Sequence, residues 1–201
     1  MQIAIILYPG FDELDAIGPY EVLCAAAESG AGFEVSLVTL EPTAEIVASH
    51  GLSVRPDGLL ADGRWDLVIV PGGGWNASKP AGARIETQRG ALPAALADLA
   101  SAGVPLASVC TGAMLLAAAG LLRGRPAVTH HGALPELAEA GAEVIDARVV
   151  DDGNIVTAGG VTSGIDLALW LVQRHAGAEV AERVAARLEY RRSDDIVQTH
   201  R

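Results

Sequence analysis

Pro105-Leu106-Ala107-Ser108-Val109-Cys110-Thr111-Gly112-Ala113 is the stretch on which the fold turns. Residues 104–109 form an apolar run that reads as a buried strand. The run delivers Cys110 to a tight turn. Residues 111–122, apolar nearly all round, read as a buried helix that begins at once. Strand, nucleophile-type residue and immediate helix are the logic of a nucleophile elbow, here with sulfur in place of oxygen. A thiol at the positive end of a helix is expected to favour its thiolate and to have a lowered pKa. Gly112 relieves crowding where strand and helix meet. The competing reading is a buried structural cysteine, which is common; the strand-Cys-Thr-Gly-helix context favours a functional one.

Working outward, the same alternation recurs. Residues 3–7, 33–40 and 67–70 read as strands, and 14–29 and 85–102 as helices. Residues 47–56 read as a small hairpin or excursion. Beyond the elbow come a short strand (127–129), a short helix (134–140) and strands at 143–150 and 154–158 around the turn 151–153. Val161, Ile165, Leu169 and Val172 lie at helical spacing on a long helix ending near His175. A last helix spans 178–190, and 191–201 reads as a polar tail. Strand–helix alternation predicts a mostly parallel sheet with helices on both faces, in one α/β domain over 1–201.

Composition narrows the partners. The 201 residues are 50% hydrophobic but only 4% aromatic, a core of small aliphatic side chains. Twenty-five acidic against 14 basic residues give −11, which argues against an electrostatic grip on nucleic acid or on an anionic membrane. No apolar run approaches the ~18 residues of a membrane span. Met1 runs directly into Ile3-Ala4-Ile5 without a basic leader. With only Cys24 and Cys110 as thiols, a reduced cytoplasmic protein is expected.

In open α/β sheets, ligands bind outside the carboxyl ends of the strands. Residues 8–15, 71–75 and 110–112 all lie at such ends and are expected to be neighbours in space. Pro71-Gly72-Gly73-Gly74 lets backbone approach a ligand, and the free N–H groups of this run are expected to stabilise developing negative charge, with the Thr111 N–H as a partner donor. Asp15 stands out among the acids of the first helix. Beside a cysteine thiolate its pKa is expected to be raised, so that it can give a proton and take one back. His130-His131 follows a strand near the same edge. No carboxylate or thiol partner sits at a zinc spacing, so no metal is expected, and a role beside Cys110 is the alternative. His50, His175 and His200 read as ordinary surface or structural residues, Cys24 as core, and Trp75 as a possible pocket wall.

Tyr8-Pro9-Gly10-Phe11 with Leu14-Asp15-Ala16-Ile17-Gly18-Pro19-Tyr20-Glu21-Val22 resembles the N-terminal signature of the ThiJ/PfpI superfamily. Val70-Pro71-Gly72-Gly73-Gly74, Ser108-Val109-Cys110-Thr111-Gly112-Ala113, Thr129-His130-His131 and the run from Thr157 through Asp166 resemble its later signatures, in order along nearly the whole chain. The resemblance implies a flavodoxin-like three-layer sandwich, a homodimer, and a first-helix carboxylate, here Asp15, touching the elbow cysteine. Members that act as proteases or amidases carry His after the elbow Cys, where this chain has Thr111. Glyoxalase or deglycase relatives usually carry Glu where this chain has Asp15. Cys-Thr-Gly with Leu-Asp-x-x-Gly-Pro looks most like the isonitrile hydratase group and like the amidotransferase-like domain of AraC-type regulators. The resemblance thus implies a cofactor-independent hydratase acting on a small molecule. Cys110, Asp15 and Thr111 would be catalytic, and Gly72, Gly73 and His130 would line the substrate. A ligand- or redox-sensing domain and a glyoxalase-type enzyme are the alternatives.

Overall fold

The computed structural model describes residues 1–76 and 80–199. Its elements in chain order are β1 (Gln2–Ile6), α1 (Glu13–Ala26), β2 (Glu34–Thr39), β3 (Ile46–Val47), β4 (Ser53–Val54), β5 (Gly58–Leu59), β6 (Leu67–Val70), α2 (Ala83–Arg89), α3 (Ala91–Ser101), β7 (Leu106–Val109), α4 (Gly112–Ala118), β8 (Pro126–Ala127), α5 (Leu134–Glu139), β9 (Glu143–Val144), β10 (Val149–Asp151), β11 (Ile155–Ala158), α6 (Ser163–Ala176), α7 (Ala178–Arg187) and β12 (Ile196–Gln198).

β6, β7 and β11 carry no charged side chain and are buried from end to end, as β1 is from Ile3 onward, so these four occupy the middle of the sheet. Eight strands run in the order β12-β10-β11-β7-β6-β1-β2-β5. Every pairing in that sheet is parallel except β10 with β11. Helices α1, α6 and α7 pack together as one layer, and α2, α3 and α4 as another. This is the mostly parallel α/β arrangement that the alternation predicts and the flavodoxin-like fold that the resemblance implies.

The strand order positions the site. From β1 the chain works outward through β2 to β5, then returns to β6 on the other side of β1 and continues to β7. The direction reverses between β1 and β6, and at such a switch point the flanking loops diverge and leave a crevice. The loops after β1, β6 and β7 therefore meet there. The close crossing of α1 and α6 fixes the crevice from one side: a Cβ on Gly164 would touch both Val109 of β7 and Pro19 of α1.

Four sequence expectations change. The helix read over 85–102 is two helices, because Gly90 adopts φ +77 between them, a left-handed conformation that glycine enters without strain. The helix read over 111–122 stops at Ala118. The tail read as polar contains β12, which adds a parallel edge strand beside β10 with Val197 opposite Val150. Residues 143–150 also divide, since Glu143–Val144 pairs with β8 outside the main sheet. The hairpin read over 47–56 is the antiparallel pair β3–β4.

Candidate active site

Cys110 sits between β7 and α4 with φ +55, in the left-handed region. That conformation costs a β-carbon residue about 1–2 kcal/mol, and its surroundings hold it there. The Cys110 N–H donates to the carbonyls of Ala158 and Gly159 at 3.0 and 2.9 Å. Its own carbonyl accepts the buried Thr129 hydroxyl at 2.8 Å. A Cβ at Gly112 would fall on the Val70 carbonyl, so only glycine lets α4 start this close to β6.

Asp15 lies in the first turn of α1, which Asp12 caps by accepting the Leu14 N–H. It is fully buried. One carboxyl oxygen, Oδ2, accepts the Gly72 N–H at 3.0 Å. The other, Oδ1, has no conventional hydrogen-bond partner among the described residues. The carboxyl is within interaction range of the Cys110 thiol. Burial pushes Asp15 up to about 8, with the Asp12 charge adding to it; the Gly72 N–H and the Cys110 contact pull the other way. The raised acid agrees with the sequence reading, although burial rather than a thiolate is its main cause.

The thiol behaves oppositely to expectation. Burial, then the Asp15 charge, pushes Cys110 up to about 12. The N–H groups of Val161 and Thr111 oppose that rise without overcoming it. A seven-residue α4 provides too little dipole to offset taking a thiolate out of water at a residue only 6% exposed. Cys110 therefore rests as a thiol, and a base has to take its proton when sulfur attacks.

The glycine turn is also employed differently. The Gly72 N–H is occupied by Asp15, and the Gly73 N–H donates to Thr111 Oγ1 at 2.9 Å. Neither is free for a substrate; they hold the acid and the threonine. The Thr111 N–H faces the Cys110 sulfur instead of an empty oxyanion position. With a lone pair of Thr111 Oγ1 engaged, its O–H hydrogen is available to donate into the cavity.

That cavity has a volume of about 260 Å³, and Cys110, Thr111, His130, Trp75 and Asn76 line it. His130 Nδ1 accepts the Gly132 N–H at 3.1 Å, which puts the ring proton on Nε2 and makes that atom a donor. Burial, then the neighbouring His131, lowers the His130 pKa and so disfavours the charged ring. Trp75 walls the cavity as expected, with the Arg84 guanidinium 4.3 Å over its ring. Asp12 and His50 also line it, and the sequence reading placed neither there. Cys24 and His175 lie on α1 and α6, away from these lining residues, and His200 falls outside the described residues. Both cysteines are free.

Comparison with known proteins gives this geometry a lineage. The DJ-1/PfpI family pattern matches residues 1–174. The chain belongs to the DJ-1/PfpI family. Isonitrile hydratase of Pseudomonas putida is 38% identical over 194 residues, 94% of this chain and 78% of that protein. A deglycase of Pyrococcus horikoshii is 32% identical over 161 residues, 78% of this chain and 89% of that one. The crystal structure of a ThiJ/PfpI family protein from Pseudomonas syringae superposes with a TM-score of 0.83 at 29% identity, covering 96% of this chain and 76% of that chain. The DJ-1/PfpI family thus includes enzymes, and two of them are among the relatives of this chain. No helix of the described DJ-1/PfpI domain is long and apolar enough to cross a membrane.

In this DJ-1/PfpI domain the last signature residue, Asp166, is structural. Buried on α6, it accepts from Arg148 Nε at 2.8 Å, the Tyr190 hydroxyl at 2.9 Å and the Ser193 N–H at 2.9 Å. It ties the segment that leads into β12 back to the sheet.

Proposed function

We propose that the chain hydrates an isonitrile, R–N≡C, to the N-substituted formamide, with Cys110 as nucleophile and Asp15 as proton carrier. The observation that carries this reading is the buried Asp15 carboxyl beside Cys110, raised to about 8. Near neutral pH such a group serves as both acid and base.

In the first half, Cys110 sulfur bonds to the terminal isonitrile carbon. Asp15 passes its proton to that carbon and takes the one leaving sulfur, giving Cys110–S–CH=N–R. In the second half, water adds to the same carbon. One water proton ends on nitrogen, the C–S bond breaks, and the other proton returns to sulfur as HC(=O)–NH–R departs. The sum is R–NC plus water, with no change in electron count and no cofactor. The Thr111 hydroxyl and His130 Nε2–H are donors available to orient substrate or water. Gly72 and Gly73 act through Asp15 and Thr111, which they hold.

The 38% identity to an isonitrile hydratase supports this choice within the family. The deglycase relative supports a second reading, an enzyme acting on 2-oxoaldehydes or their adducts. A ligand- or redox-sensing domain is a third reading; burial, which pushes the Cys110 thiol up, opposes the thiolate character that oxidation follows. The homodimer that the family resemblance implies and the cytoplasmic location expected from the two thiols belong to the same proposal.

The test is purified protein given cyclohexyl isocyanide and, separately, methylglyoxal. Formamide production by wild type and Cys24→Ala, and none by Cys110→Ala, is the expected result. Lactate without formamide moves the assignment to the glyoxalase type. Turnover of neither moves it to a sensor.

A further inference from the structure

The hairpin loop after β3 brings an acid–histidine pair to the same cavity. Glu13, in the first turn of α1, accepts the His50 backbone N–H at 2.7 Å and contacts His50 Nδ1 at 2.7 Å. It also accepts the Leu52 N–H at 3.4 Å. A carboxylate only accepts, so Nδ1 is the donor, and in the neutral ring the lone pair lies on Nε2. His50 lines the cavity that holds Cys110. His130 lines it too, with the opposite tautomer: its Nδ1 accepts, so its Nε2 donates. The cavity thus has one histidine set as donor and one set as base. Those His50 contacts hold Glu13 below its usual pKa and keep it ionised, although burial pushes the other way.

We propose that Glu13 and His50 form a base dyad that activates the water attacking the carbon bound to Cys110. His50 is the catalytic base and Glu13 its positioning residue. Nε2 takes one proton as the water oxygen bonds to carbon. The imine nitrogen takes the other water proton as the carbonyl forms, the C–S bond breaks, and the proton on His50 passes to the departing sulfur. The cavity volume of about 260 Å³ leaves room for this water beside a small adduct, since a water's share of liquid volume is about 30 Å³. The assignment relieves Asp15 of the water step and rests on the reading above only in requiring a covalent Cys110 intermediate.

Asp12, Glu13 and His50 also bring ligand-type atoms within 4.8 Å of one another. A cation there is disfavoured. Asp12 Oδ1 caps α1, Glu13 is committed to the hairpin loop, and the positive end of α1 repels a cation.

The test uses p-nitrophenyl acetate, which acylates a reactive cysteine whatever the natural substrate. Wild type should release a burst of p-nitrophenolate as Cys110 is acetylated, followed by steady hydrolysis. His50→Gln should keep the burst amplitude, which reports an intact elbow, and slow the steady phase on the order of 10²-fold. Imidazole in solution should restore the steady phase of His50→Gly. Glu13→Gln should show the same signature about tenfold slower than wild type, with the loss in kcat and not in KM. A His50→Gln steady phase within threefold of wild type overturns the dyad, as does parallel loss of burst and steady phase. Wild type that shows the His50-dependent burst kinetics yet makes no formamide from cyclohexyl isocyanide sinks the isonitrile reading alone.

Discussion

The Thr111 hydroxyl accepts the Gly73 N–H at 2.9 Å, and this one bond ties the elbow after β7 to the glycine turn after β6. The turn's other N–H, on Gly72, goes to Asp15. The backbone that the sequence presents as an anion cradle is thus a mount for two side chains. Under the proposed chemistry, charge developing on a substrate would meet a threonine hydroxyl and a histidine N–H rather than paired amides.

Replacing Thr111 separates those roles. Thr111→Ser keeps the acceptor and the donor, so turnover should stay within a few-fold of wild type. Thr111→Val keeps the shape but leaves a buried N–H unpaired, which costs about 1–3 kcal/mol. Thermal unfolding should shift down accordingly, and turnover should fall at least tenfold. A Val variant as active as wild type would show that the hydroxyl takes no part.

How much of this was legible beforehand depends on distance along the chain. The elbow could be read because strand, Cys110 and helix are consecutive, and the switch-point crevice because strand–helix alternation fixes it. The partners of Gly72 and Gly73 could not, since they lie 57 and 38 positions away. The raised Cys110 pKa is hidden from the sequence for a related reason: burial is a property of the assembled layers, whereas a helix N-terminus is visible locally. His50 looked ordinary because its orientation comes from Glu13, 37 positions earlier. β12 escaped notice because Ile196-Val197 is too short to show a strand period.

Ser108, in the middle of β7, is fully buried, and its hydroxyl has no partner among the described residues. Ser108→Ala removes a group desolvated without return and leaves a gap of one oxygen. The expected outcome is stabilisation by about 1 kcal/mol, read as a rise of roughly 2–4 °C in Tm for a chain of this size. A fall in Tm would mean that the hydroxyl has a partner, such as a buried water.

Asp166→Ala should be costly. It strands Arg148, the Tyr190 hydroxyl and the Ser193 N–H together. Arg148 keeps about a third of its side chain in solvent, which limits the loss to on the order of 2–4 kcal/mol. Hydrogen exchange should show β12 losing protection before β1 or β6. Uniform loss across the sheet would contradict a local clamp.

Asp15→Asn tests the central acid by three measurements. The first is stability against pH. The folded carboxyl sits at about 8, above its ordinary unfolded value near 3.9. A raised acid is protonated in both states below pH 4, so it imposes no penalty there. Between about pH 4 and 8 the unfolded chain ionises while the folded one resists, so wild-type stability falls across that window, by a few kcal/mol in all. Asn does not titrate. Its Tm should therefore gain on wild type between pH 5 and pH 8, and a difference independent of pH would contradict the raised carboxyl. The second measurement is thiol labelling. The Asp15 charge adds to burial in pushing the Cys110 thiol up, so at pH 9 the wild-type thiol is largely protonated. Removing the charge lowers the thiol pKa, and iodoacetamide should label the variant faster at pH 9. Below pH 7, where Asp15 is already neutral, the two rates should converge. The third is turnover, which should drop on the order of 10²–10⁴-fold even though more thiolate is present, because Asn carries no proton to the isonitrile carbon. Faster labelling with lost turnover separates the proton carrier from a residue that merely shapes the elbow, for which labelling and turnover would move together.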